Sequence, residues 1–344
     1  MRFTQNIDKS DYQVIGDQIN AHRLTKQQSP LKMSSINQYC SNYNIISKLC
    51  DYKTEDETYF LADYDRVISS MNKNEKPLSE NTKRNYLNSV ITMSQTCDIE
   101  SSIIQKFVDD RDGYNKKYND KKEAGEVFSE EEMTHQITQN DIIKVLIQIR
   151  KEVKGLDAYR PKSEITKKTY NLLQFYTLLS LYSQHRLRND FASLQVITKR
   201  DYNALEDKTG NYLLVKGRDI SIVLNDYKTN KDGSEKVIDI TDKKLITLLK
   251  NYIKVIGTNT PLFTGPTDLQ MTSNQLTVFL QKYTKEYLGK KVSTRLLRKI
   301  FYTEKYGHLI NELKKDATDN LHSTGTAMNI YTASHGFIPK TVSV

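Results

Sequence analysis

Three short runs rich in β-branched and aromatic residues interrupt a chain that is otherwise patterned for helices. They cover about Tyr212–Lys216, Ile220–Leu224 and Val237–Ile240. Asp232-Gly233 supplies the turn into the last of them. Three strands this short must bury one face against neighbouring helices to be stable. The order of helices, then strands, then helices therefore predicts an α+β fold with a small three-stranded antiparallel sheet.

The 344 residues suit two domains. Residues 1–33 are polar and unpatterned, and are expected to form a flexible arm. Helical spacing follows at about Ser34–Leu49, where Ile36, Tyr39, Tyr43 and Ile46 recur. Further helices are expected at about Ala62–Met71, after the capping residue Ser79, and at about Ile99–Val108. Residues 34–112 thus read as an all-helical domain. The charged, apolar-poor stretch 113–136 reads as a linker. A mostly helical second domain occupies 137–344 and contains the sheet. In it, Ile142, Val145, Leu146 and Ile149 share one helix face, and Ser163 is expected to cap the long apolar helix carrying Leu172, Phe175 and Leu179. Thr241-Asp242 caps a stripe of Leu245, Leu248, Leu249, Tyr252 and Ile253. The remaining helices are expected at roughly 272–286, 293–306, 308–317 and 325–332.

Composition narrows the partners. Lys plus Arg number 51 against 42 Asp plus Glu, giving a net charge of +9. That balance favours a polyanion, through release of counterions from phosphates. Cys40, Cys50 and Cys97 form no CxxC pair and are odd in number, so neither a disulfide framework nor a zinc site is suggested. No apolar run approaches the ~20 residues that span a bilayer, and the N-terminus lacks a signal-peptide stretch. The expectation is a soluble, intracellular protein with no membrane partner.

Four clusters carry chemistry. The first is Gln184-His-Arg186-Leu-Arg188-Asn-Asp190, at the end of the apolar helix. An arginine fork offers a phosphate two parallel hydrogen bonds and a permanent charge. The second is the lysine-rich stretch Leu224-Asn-Asp-Tyr-Lys228-Thr-Asn-Lys231-Asp-Gly-Ser-Glu-Lys236-Val-Ile-Asp-Ile240, from which an ammonium could swing onto a leaving oxygen. In the third, Ser293-Thr-Arg295-Leu-Leu-Arg298, two guanidiniums share a helix face and repel unless an anion lies near. The fourth is Leu321-His322-Ser-Thr-Gly-Thr-Ala-Met-Asn-Ile-Tyr331, where Gly325 breaks the run between histidine and tyrosine.

Taken in this order, the clusters resemble the tyrosine recombinase (phage-type integrase) family. Its pattern runs arginine, hairpin lysine, His-x-x-Arg, a second histidine or tryptophan, then a tyrosine nucleophile. Arg188 matches the first arginine, with Asp190 as the acidic residue that follows. The spacing is one residue short, so Arg186 stays a rival. Lys228 matches the hairpin lysine, with Lys231 and Lys236 as rivals. Arg298 matches the second arginine, and His322 and Tyr331 match the last two elements. Arg295 stands where the family has its first histidine.

The resemblance implies that residues 34–112 form a DNA-clamping core-binding domain and 137–344 a catalytic domain. It implies metal- and ATP-independent strand transfer on double-stranded DNA by a homo-tetramer, without cofactor. Tyr331 would form a 3′-phosphotyrosine, Lys228 would protonate the leaving 5′-oxygen, and Arg188, Arg295, Arg298 and His322 would hold the phosphate. A site-specific recombinase or integrase of a virus or mobile element is the leading reading. A type IB topoisomerase or telomere resolvase, and a catalytically inactive DNA-binding protein on the same scaffold, remain alternatives.

Overall fold

A computed structural model describes residues 6–51, 59–73, 77–230 and 233–328. The chain forms two compact units that divide between Val127 and Phe128.

The first unit is helical: α1 (Tyr12–Thr25), α2 (Met33–Leu49), α3 (Tyr64–Asn72), α4 (Glu80–Thr96) and α5 (Ser101–Ala124). Ser79 caps α4 by accepting the amide of Thr82. The fully buried side chains of Tyr43, Ile46, Phe60, Leu87 and Phe107 make its core. The polar stretch read as a loose arm is only partly so. Its sparse apolar residues Ile15 and Ile19 are buried, and they hold α1 against the core. Gly16 explains how closely α1 can lie on α2: a Cβ there would stand 2.8 Å from Ile36 Cδ1. Cys40, Cys50 and Cys97 are buried and form no disulfide, Cys97 Sγ lies 3.6 Å from the Tyr59 hydroxyl, and burial raises the pKa of the Cys40 thiol to about 11. Helix α5 runs well past the expected end near Val108, and takes in residues 113–124 of the stretch read as linker. Gly125 stops it in the left-handed conformation, at φ 86°.

The second unit opens with the short α6 (Glu130–Thr134), then α7 (Gln139–Gly155) and α8 (Lys167–Gln184). Helix α8 is buried on nearly all sides, as an apolar helix through a core must be. Thr166, not Ser163, caps it, accepting the Thr169 amide at 3.2 Å. After α8 come β1 (Leu194–Thr198), α9 (Lys199–Asn203), β2 (Asn211–Lys216), β3 (Asp219–Leu224), β4 (Lys236–Asp239), α10 (Lys243–Ile256) and β5 (Thr260–Pro261). The chain then forms α11 (Ser273–Leu288), α12 (Thr294–Asp319) and α13 (Thr324–Thr326).

The α+β class holds, but the sheet corrects the expectation. It has five strands in the order β4-β3-β2-β1-β5, and β1 pairs with β2 in parallel. The three strands read from sequence are its antiparallel part, β2-β3-β4. Strand β1 is only five residues long, with Leu194, Val196 and Ile197 buried and Gln195 exposed, and no glycine or proline marks either of its ends. Strand β5 is two residues long and carries no pattern. A second correction concerns α12, which runs unbroken through Gly307 where two helices were expected. A lone interior glycine weakens a helix by only ~1 kcal/mol. The segment expected as a helix at 325–332 begins as α13, and its residues beyond 328 lie outside the described part.

Candidate functional site

The C-terminal end of α8 makes the first wall of the site. Burial of Tyr182 places its hydroxyl to donate to the Arg188 carbonyl at 2.8 Å, and its ring meets Phe191 edge-on at 4.8 Å. This pins the 3₁₀ turn Asn189–Ser193 and leaves the Arg188 side chain exposed. The second wall is the loop that leaves β3, carrying Asp226, Tyr227 and Lys228. The third is the start of α12, which Ser293 caps by accepting the Leu296 amide at 3.1 Å. Asn189 ties the walls together. Its Oδ1 accepts from Thr294 Oγ1 at 2.6 Å, and its Nδ2 donates to Ser273 O and Thr277 Oγ1 in α11, both at 3.0 Å.

Between these walls lies an open cavity of about 560 Å³, into which Arg188, Lys228, Arg295 and Arg298 all face. Asp190 and Asp226 line it too. Four cations against two carboxylates leave an excess of positive charge. The N-terminus of α12 adds its partial positive charge at the same place. Arg298 reports the resulting field. Its pKa lies below the usual arginine value, first through burial and then through the neighbouring Arg188 charge. An anion in the cavity would relieve the repulsion between the two arginines.

Arg295 is largely solvent-exposed, with its Nε 3.8 Å from Glu132 Oε1 in α6. Lys299 makes a closer ion pair with the same carboxylate. Burial alone would raise the Glu132 pKa, but Lys299, the Ser129 amide and Arg295 together bring it below the ordinary glutamate value.

Arg186 is otherwise engaged. Its guanidinium lies over the Phe301 ring, 3.5 Å from the centroid, and donates to Gln184 O at 2.7 Å. It lines a second, smaller cavity of about 180 Å³ with Lys236. Arg188, Asp190, Tyr227 and Arg298 border both cavities. Lys231 and Tyr331 lie outside the described residues.

His322 is not brought to either cavity. It is exposed, and its amide donates to Ala317 O at 2.8 Å just past the end of α12. From Arg298 to Asp319 the helix advances 319 − 298 = 21 residues, or ~32 Å at 1.5 Å per residue. Fusion of the two expected helices into one is what carries the histidine away.

The sequence reading passed over Asn189, Asp226 and Glu132. Asn189 and Asp226 sit inside the quoted boxes beside more conspicuous cations. Glu132 belongs to the acidic run Glu130-Glu-Glu132, in which nothing local marks one carboxylate as the partner of a helix 160 residues later. Among the described residues, no group of three or more His, Cys, Asp or Glu could hold a metal ion. No described helix is long and apolar enough to cross a membrane.

No protein-family model matches the chain, and no curated protein matches it. Among solved structures it is similar to one described as "Crystal structure of XerA recombinase". The two share 12% identity over 86% of this chain and 83% of that one, with a TM-score of 0.31. A likeness that slight leaves function to be argued from the cavity itself.

Proposed function

We propose that this chain cuts and rejoins double-stranded DNA through a covalent 3′-phosphotyrosine at Tyr331, as a site-specific recombinase or integrase of a mobile element or virus. The observation that carries the reading is the convergence of Arg188, Lys228, Arg295 and Arg298 on one cavity from three separate stretches of chain. A phosphodiester is anionic and repels a nucleophile. Arginines placed on its non-bridging oxygens offset the charge that builds in the transition state. Arg188 and Arg298 hold the phosphate, Arg295 supports it from the rim, and Asp190 fixes the charge balance between the arginines.

The Tyr331 phenol loses its proton to solvent as its oxygen bonds to phosphorus. The bond from phosphorus to the 5′-oxygen breaks, and Lys228 gives that oxygen a proton. Attack by another strand's 5′-hydroxyl reverses the step, because the phosphotyrosine keeps the bond energy. His322, carried ~30 Å from this chain's own cavity by α12, would join the phosphate held by a second copy. Paired DNA sites require a homo-oligomer, a tetramer in this reading.

Nicked duplexes of randomised sequence test it. Cleavage near the nick releases a short fragment and traps the protein on DNA, giving a slow band on a denaturing gel. The expected result is a band for the unmodified protein and none for Tyr331→Phe, with duplex binding retained. Sequencing the trapped ends gives the site. Trapping on any sequence would mark a topoisomerase.

A second reading, a DNA-binding protein without catalysis, is favoured by one observation: His322 stands far from the cavity. It predicts binding without any trapped band.

A further inference from the structure

Asn211 opens β2 and is 3% exposed, a polar side chain deep in the fold. A buried amide left without partners costs ~1–3 kcal/mol. This one has none to spare. An asparagine side chain has two donor hydrogens and two acceptor lone pairs. Asn211 Oδ1 accepts the backbone amides of Asn225 and Asp226, each at 2.9 Å. Its Nδ2 donates to the Asp226 carbonyl and to Ser193 Oγ, each at 2.7 Å.

The partners matter more than their number. The β2–β3 ladder ends at the pair Tyr212↔Val223. Beyond it the Asn211 side chain takes over the role of a backbone strand and holds the N–H groups of Asn225 and Asp226 and the Asp226 carbonyl. Those residues lead directly into Tyr227-Lys228. The fourth bond goes to Ser193, whose hydroxyl in turn donates to the Asp190 carbonyl at 3.0 Å. One amide thus links the stretch that carries the lysine to the turn that carries Arg188. Asn225 Nδ2 closes the loop from its other side, on Gly210 O at 2.8 Å.

We propose that Asn211 is a positioning residue for the leaving-group lysine: it fixes the Lys228 ammonium relative to the phosphate held at Arg188. The proposal rests on the DNA-cleaving reading of the cavity. In the step concerned, the 5′-oxygen leaves phosphorus and takes a proton from Lys228, which becomes a neutral amine. A misplacement of about 1 Å in such a group can cost 10²-fold in rate. The requirement vanishes if sulfur replaces the bridging 5′-oxygen. A thiol pKa near ~8.5 lets thiolate leave unprotonated, whereas an alcohol, like water, is a far weaker acid and needs a proton to leave.

The test compares two duplexes of the sequence recovered by trapping, one with oxygen and one with sulfur at the scissile 5′ position. Asn211→Asp keeps the size and both accepted bonds, but sets a carboxylate oxygen against the Asp226 carbonyl and Ser193. Ser193→Ala is the milder variant, removing only the link to the arginine turn. On oxygen, Lys228→Ala and Asn211→Asp should each lose about 10²-fold or more, and Ser193→Ala about tenfold. On sulfur all three should return to within about threefold of the unmodified protein. Asn211 and Ser193 variants equally slow on both duplexes, or normal on oxygen, would show a merely structural role and overturn the proposal while the DNA-cleaving reading stands. A Lys228→Ala defect that sulfur fails to relieve would remove this lysine as the proton donor and overturn the positioning proposal, while the residual cleavage would leave the DNA-cleaving reading standing.

Discussion

Arg188 and Arg298 stand within each other's field: burial first, and then the neighbouring Arg188 charge, lowers the pKa of Arg298. A fold selected only for stability gains nothing from that repulsion, so an anion is the natural third party. Arg188→Ala and Arg298→Ala should each slow single-turnover cleavage by about 10²–10³-fold. Arg298→Lys should recover little, since an ammonium lacks the planar fork. Near-normal rates in either alanine variant would take that residue out of the chemistry. Arg186 is expected to behave differently. Its guanidinium is committed to the Phe301 ring and the Gln184 carbonyl, so Arg186→Ala should act on stability more than on the chemical step. A melting curve beside the cleavage rate separates the two.

At the scale of elements, α6 and α12 make the account's sharpest commitments. Glu132 attaches α6 to the start of α12 through Lys299 and Arg295. Its folded pKa lies below the ordinary glutamate value, so the attachment is complete above that value and is lost as pH falls through the lowered one. Glu132→Gln should flatten that acid limb in a pH series of thermal unfolding. Helix α12 then sets a problem of reach. It holds His322 ~30 Å from the cavity of its own chain. Tyr331 lies nine steps along the chain beyond His322, since 331 − 322 = 9, and even fully extended those steps span only ~30 Å. The helical turn Thr324–Thr326 shortens that reach. A mixture of Tyr331→Phe and Arg298→Ala, each inactive alone, should therefore regain cleavage, with one chain serving the other's cavity. A mixture as inactive as its parts would mean that α12 bends when DNA binds. The sequence could not reveal this geometry. Runs of β-branched and aromatic residues located the strands β2 to β4, and apolar periodicity located α2, α4 and α10. It divided α12 at Gly307, since a glycine at that position reads as a stop and nothing local says that the helix goes on. It passed over β1 because five residues with no glycine or proline at either end carry no boundary signal. The cations of the cavity were legible as residue types in order. The asparagines that place them were not, because hydrogen bonds from Asn189 and Asn211 to distant segments exist only once the chain has folded.

For the molecule as a whole, the net charge of +9 bears on binding more than on chemistry. Affinity for duplex DNA should fall steeply and log-linearly with salt. Arg298→Ala should reduce the slope by ~0.9 if that side chain neutralises one phosphate. Binding insensitive to salt would leave the charge without the use assigned to it. The central claim is narrower: a cavity built from residues 188, 228, 295 and 298 presents one DNA phosphate to a tyrosine oxygen. Its most direct measurement is peptide mapping of the trapped protein–DNA adduct after nuclease and protease digestion. The expected result is a nucleotide mass on the peptide containing Tyr331, absent when Arg188 and Arg298 are both alanine. A nucleotide on any other residue, or an adduct that forms undiminished without the two arginines, would contradict it.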